Sequence, residues 1–121
     1  MSPMIGSKLG CRVLVVDDEA NAREALVELL REEGYTAFAA ASGEEALRRL
    51  ADLIPDVVLT DFQMMGMNGL ELAKAIHAAS PARVAIMSAF PPPRPVALPW
   101  LAKPLDLDAL FRTVESLRET S

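Results

Sequence analysis

The chain reads as an α/β fold built on an open parallel sheet, and three observations carry that reading. Short apolar runs alternate with stretches of helical periodicity along almost the whole sequence, the pattern of repeated strand–helix–strand units. The best of these runs, residues 12–16, is apolar without any polar alternation, as expected of a strand covered on both faces. Polar residues stand just past the carboxyl ends of the runs: Asp17-Asp18 after Val13–Val16, Asp61 after Val57–Thr60, Ser88 after Val84–Met87, and Lys103 after Trp100–Ala102. That edge of an open parallel sheet is where ligands bind.

After the strand at 12–16, Ala22, Ala25, Leu26, Leu29 and Leu30 recur at helical spacing, and Gly34 ends that helix as a left-handed cap. Tyr35–Ala40 reads as a second strand, weakened by its alanines. Ser42 and Glu45 form a capping-box signature ahead of a helix whose apolar face is Ala46, Leu47 and Leu50. Pro55 leads into the strand Asp56–Thr60, and a Met- and Gly-rich loop spans Asp61–Asn68. Gly69–Ala79 is a third helix with Leu72, Ala73 and Ile76 inward, ended by Ser80-Pro81. Arg83–Met87 is a fourth strand, and Asp106 caps a last helix with Leu107, Leu110, Phe111 and Val114 as its stripe.

The interval before that last helix is unusual. Pro91, Pro92, Pro93, Pro95 and Pro99 crowd into nine residues, and only fourteen residues separate Ser88 from Lys103. A helical crossover with its loops needs at least about 10–12 residues, and each proline inside a helix costs about 3 kcal/mol. Length barely permits a helix there and the prolines forbid one. An extended, polyproline-like connection is expected instead, with a peptide-ligand role as the alternative.

At 121 residues the chain is one domain, expected over 11–118 behind a flexible N-terminal tail at 1–10. The composition is 51% hydrophobic but only 5% aromatic, so Val, Leu, Ile, Ala and Met must fill the core. A net charge of −5 argues against nucleic-acid binding by this domain. The single Cys11 cannot form an internal disulfide, which fits a reducing cytoplasm, and no apolar run is long enough to span a membrane. His77 is the only histidine and reads as a surface residue of the third helix.

Taken singly, the strand-end residues are weak signals: an Asp-Asp pair before a helix is most often a cap, and a lone lysine is a solvated charge. Together they define a chemistry. Asp17, Asp18 and Asp61 at one sheet edge repel one another, and a hard cation such as Mg2+ resolves the repulsion with carboxylate, water and phosphate oxygens. Lys103 balances the anionic charge and Ser88 donates to a phosphoryl oxygen. One carboxylate facing such an assembly can act as the nucleophile and form an aspartyl phosphate.

The stretches Val13-Leu14-Val15-Val16-Asp17-Asp18-Glu19, Asp56 through Leu70, and Leu101-Ala102-Lys103-Pro104-Leu105-Asp106 resemble the receiver domain of two-component response regulators over roughly residues 11–118. The resemblance implies a flavodoxin-like doubly wound sheet of five parallel strands in the order 2-1-3-4-5. It also implies Asp61 as phosphoacceptor, Mg2+ held by Asp18, Asp61 and the backbone carbonyl of Gln63, and Asp17 acting through a bound water. Ser88 and Lys103 would contact the phosphoryl group, Trp100 would stand at the family's switching aromatic position, and Gln63 and Phe90 would govern access of water. The Lys103-Pro104 bond is expected to be cis. The donor would be a histidine kinase or a histidine phosphotransfer protein, and the chain a monomer or weak dimer.

The chain departs from the family between Ser88 and Lys103, where members usually carry a full fourth helix that helps form the output and dimer surface. A pseudo-receiver, an interaction module without phosphorylation-driven switching, therefore stands as the alternative. An aspartate-nucleophile phosphatase would place a second Asp where Gln63 stands, and a flavin carrier would not place Asp17-Asp18 at a phosphate loop.

Overall fold

The computed structural model describes residues 10–119. All but the last residue of the expected N-terminal tail lies outside the described residues. Five strands, β1 (Arg12–Val16), β2 (Thr36–Ala40), β3 (Val57–Asp61), β4 (Arg83–Ser88) and β5 (Trp100–Ala102), form one parallel sheet in the order β2-β1-β3-β4-β5. Four helices connect and flank them: α1 (Ala20–Glu32), α2 (Gly43–Leu53), α3 (Gly69–Ala79) and α4 (Leu107–Glu119). The fold expected from the sequence is the fold observed, including the absence of a helix between β4 and β5.

Alternate residues of the central strands feed two cores. Val13, Val15, Val57, Leu59, Ala85 and Met87 point to the face covered by α1 and α4, where Leu26, Leu30, Leu110 and Val114 meet them. Leu14, Val16, Val58, Val84 and Ile86 point to the other face, under Leu50 of α2 and Leu72, Ala73 and Ile76 of α3. Burial on both faces explains why β1 lacks alternation in sequence. Leu98 and Trp100 pack at the margin of this second core, beside the proline-rich segment.

Local chemistry sets the helix ends. Asn68 caps α3, accepting from the Glu71 amide while the Glu71 carboxylate accepts from the Asn68 amide, both at 2.9 Å. Asp106 caps α4 by accepting from the amides of Asp108 and Ala109. Gly34, just past α1, has φ +105°, the left-handed conformation that suits glycine. The Lys103-Pro104 bond is cis.

Three sequence expectations need correction. Ala22 and Ala25 are exposed, and the buried stripe of α1 is Leu26, Val27 and Leu30. Those two alanines occupy the solvent side of the helix, where small size rather than apolarity matters. Leu107 is 40% exposed, because as the first residue of α4 it precedes the turn that meets the sheet. The Ser42 hydroxyl does accept from the Glu45 amide, but the Glu45 carboxylate accepts from Ala41 rather than from Ser42, so the box closes one residue early.

Leu72 is fully buried between α3 and the sheet. Leu72→Ala is expected to lower unfolding free energy by about 2–5 kcal/mol, read from urea denaturation, with the secondary structure at zero denaturant retained.

Candidate functional site

The sheet order brings the carboxyl end of β1 beside that of β3, and β4 and β5 follow on the far side of β3. Asp17, Asp18, Asp61, Ser88 and Lys103 therefore lie at one edge although they span most of the chain. Carboxylate oxygens of Asp17, Asp18 and Asp61 lie within 4.8 Å of one another. Lys103 reaches across from β5, its Nζ 2.8 Å from Asp61 Oδ1 and 3.9 Å from Asp17 Oδ2.

Each carboxylate has at least one oxygen engaged by the protein. Asp17 Oδ1 accepts from the Glu19 amide at 2.9 Å, Asp18 Oδ2 accepts from the Met65 amide at 2.9 Å, and Asp61 Oδ1 pairs with Lys103. The N-cap of α1 is Glu19, whose carboxylate accepts from the amides of Asn21 and Ala22. This disposes of the plain reading of Asp17-Asp18 as helix caps: a different acid does that job and leaves the aspartates facing the cluster. Asp17 is buried, and desolvation pushes its carboxyl above the usual carboxylate range, with Asp61 and Asp18 pushing the same way against the Glu19 amide and Lys103.

Octahedral Mg2+ with oxygens at about 2.0–2.1 Å sets opposite ligands about 4.2 Å apart. Three carboxylate oxygens confined to 4.8 Å, one of them destabilised as an anion by burial and then by its acidic neighbours, fit a small divalent cation after modest adjustment.

Ser88 is 3% exposed, and its Oγ accepts from the Phe90 amide at 3.1 Å. Its carbonyl accepts from the Lys103 amide at 2.8 Å, which ties β4 to β5 beside the lysine. Trp100 packs against Phe62, the residue after Asp61, with ring centroids 5.3 Å apart, and its Nε1 donates to the Phe90 carbonyl at 2.8 Å. Gln63 is exposed in the loop after β3, and Phe90 is 60% exposed at the start of the proline-rich segment. His77 is exposed on α3, away from this cluster.

Sequence reasoning passed over two positions. Gly69 begins α3 against the acceptor strand, and a Cβ there would lie 2.6 Å from the Asp61 carbonyl oxygen and 3.0 Å from Phe62 Cα. Its amide donates to the Phe62 carbonyl at 2.8 Å. Asn68 fixes the same corner through its cap. The sequence signal for both is Asn68-Gly69 directly ahead of a helical stretch.

Residues 13–94 match the family model of the response regulator receiver domain, and the chain belongs to that family. The match stops inside the proline-rich segment, so Lys103 lies beyond it. The chain is 39% identical over 111 residues to the transcriptional regulatory protein ZraR of Salmonella typhimurium, covering 85% of this chain but only 25% of that protein. Among solved structures, the response regulator TrrA of Thermotoga maritima, in complex with Mg2+-BeF, is 36% identical with a TM-score of 0.80, covering 88% of this chain and 98% of that one. The chemotaxis protein CheY4 of Vibrio cholerae is 28% identical with a TM-score of 0.81, over the same share of each. Receiver domains are signalling phosphoacceptors rather than metabolic enzymes, and histidine kinases phosphorylate them. Among the described residues, no helix is long and apolar enough to cross a membrane.

Two outcomes are expected from this geometry. Because folding raises the Asp17 pKa, the native state holds more protons than the unfolded chain as pH climbs from the ordinary carboxylate value to the raised one. In cation-free buffer that contribution is full below the unfolded pKa and is lost as pH rises through the folded one. Asp17→Asn is therefore expected to be more stable than wild type at neutral pH, with a flatter pH profile by thermal melting. Gly69→Ala is expected to cost about 1–3 kcal/mol, because the atoms its Cβ meets are backbone and cannot rotate away.

Proposed function

We propose that this domain, over residues 11–118, accepts a phosphoryl group from a phosphohistidine onto Asp61. The observation that carries the reading is the Lys103–Asp61 contact at 2.8 Å inside a cluster of three carboxylates. It supplies a nucleophile, a cation-binding set and a fixed positive charge in one place.

Asp17, Asp18 and Asp61, with the Gln63 carbonyl, would hold Mg2+, which when bound neutralises charge on the transferring phosphoryl group. Asp61 attacks phosphorus with a carboxylate oxygen, forming the O–P bond as the P–N bond of the donor breaks. The bonding pair stays on the imidazole nitrogen, which takes up a proton. Lys103 exchanges its pairing with Asp61 for the equatorial oxygens, where charge accumulates. The Ser88 hydroxyl donates to the same group while its oxygen keeps accepting from Phe90. Attack of water on phosphorus later returns the Asp61 carboxylate and inorganic phosphate. Gln63, two residues after Asp61, and Phe90, two after Ser88, control that water. Trp100 senses the state of the pocket through Phe62 and Phe90.

The donor is a histidine kinase or a histidine phosphotransfer protein. The runner-up, a pseudo-receiver that binds partners without switching, is favoured by one feature, the absence of a helix between β4 and β5. Incubation with acetyl phosphate and Mg2+, read by intact mass, separates the two. One added phosphoryl group on wild type, none on Asp61→Asn and none on wild type in chelator are expected. Asp18→Ala is expected to lose Mg2+ binding and to phosphorylate at least about a hundredfold more slowly. Wild type that stays unmodified both here and with a phosphorylated histidine donor would establish the pseudo-receiver.

A further inference from the structure

The proline-rich segment, in place of a helix, runs over the sheet beside α3. An α-helix with its side chains is about 10–12 Å wide, and an extended chain covers a narrower strip. Between α3 and this segment runs an open groove of 390 Å³. Leu70, Ala73, Val84 and Leu98 are among its apolar lining, all belonging to or packed on the second core.

The charge on its rim runs against the character of the chain. The whole sequence has 17 acidic and 12 basic residues. The groove is lined by Lys74 and His77 on α3, Arg83 at the start of β4 and Arg94 in the segment, and among the described residues by no carboxylate. Lys74 and Arg94 are exposed, and neither has an ion pair among the described residues. Glu71, one turn before Lys74 on the same helix, has its carboxylate engaged by the Asn68 amide at 2.9 Å.

We propose that this groove docks an acidic amphipathic helix from a partner protein, with apolar residues in the trough and carboxylates against Lys74 and Arg94. The backbone favours a helix over an added strand. Pro95, in the segment's wall, has no N–H to donate, so a strand pairing there would leave a carbonyl unmatched. The net charge of −5 disfavours a polyanion such as nucleic acid at long range, whereas a short acidic helix needs only the local field. The surface is separate from the carboxylate cluster, and its occupancy does not require phosphorylation.

The test uses a fluorescein-labelled helical peptide of about three turns, with Leu at every third or fourth position and Glu flanking the Leu stripe. Anisotropy titrations with the whole chain are compared for this peptide, its Glu-to-Gln analogue and a scrambled isomer. Lys74→Glu with Arg94→Glu is expected to weaken the acidic peptide by about tenfold or more and to leave thermal stability unchanged. The Gln analogue should bind less tightly than the acidic peptide, and the scrambled isomer should fail. Amide shifts in the 15N-labelled protein should concentrate on α3 and residues 94–98. No binding, indifference to the double charge reversal, equal binding of all three peptides, or shifts centred on another face would overturn the proposal. Tighter binding of a single-stranded oligonucleotide at the same groove would overturn it too, and would assign the surface to nucleic acid.

Discussion

Three carboxylates held at one sheet edge is the constraint on which the rest of this molecule turns. Left alone they repel, and burial makes the innermost of them, Asp17, an unwelcome anion. The fold tolerates the cluster because β5 delivers Lys103 into it, 2.8 Å from Asp61. That delivery explains why so short a strand matters. β5 has three residues, and it is anchored by Met87 and Ser88 pairing with Leu101 and Ala102 and by the Ser88 carbonyl accepting the Lys103 amide. This chain dispenses with the helix before β5 and keeps the strand.

The same requirement shapes what replaces the helix. The segment after Ser88 must return to the amino end of β5 over a short span, and a chain rich in proline enters that path with little conformational entropy left to lose. Trp100 fills volume against Phe62 at the margin of the second core and fastens the start of the segment through the Phe90 carbonyl. The replacement is thus built into the pocket wall at one end and opens a cationic groove at the other. Loss of the helix removes one surface and exposes another.

Much of this was legible in the sequence because the signals are local and reinforce one another. β1 announced itself by an unbroken apolar run, α3 by its spacing and its Ser-Pro stop, and the missing helix by prolines whose cost no packing could recover. The strand-end residues were legible as a set because sheet topology forces them together. What escaped depends on contacts between distant backbones. Gly69 matters for the 2.6 Å approach its Cβ would make to the Asp61 carbonyl, and no propensity encodes that. Glu19 as the true cap of α1, and the exposure of Ala22 and Ala25, depend on the rotation of α1 about its axis, which a run of alanines and leucines leaves loosely specified. The groove beside α3 needed the path of the proline-rich segment, which its composition constrains but does not draw.

The role proposed for Asp61 is that of a cation-dependent phosphoacceptor served by Lys103. Beryllofluoride, a mimic of the phosphoryl group, tests it directly by 19F NMR. Bound-fluoride resonances at one equivalent are expected for wild type with Mg2+, with their loss on chelation, in Asp61→Asn and, in large part, in Lys103→Ala. Bound resonances that persist in Asp61→Asn, or that form as readily without a divalent cation, would contradict it.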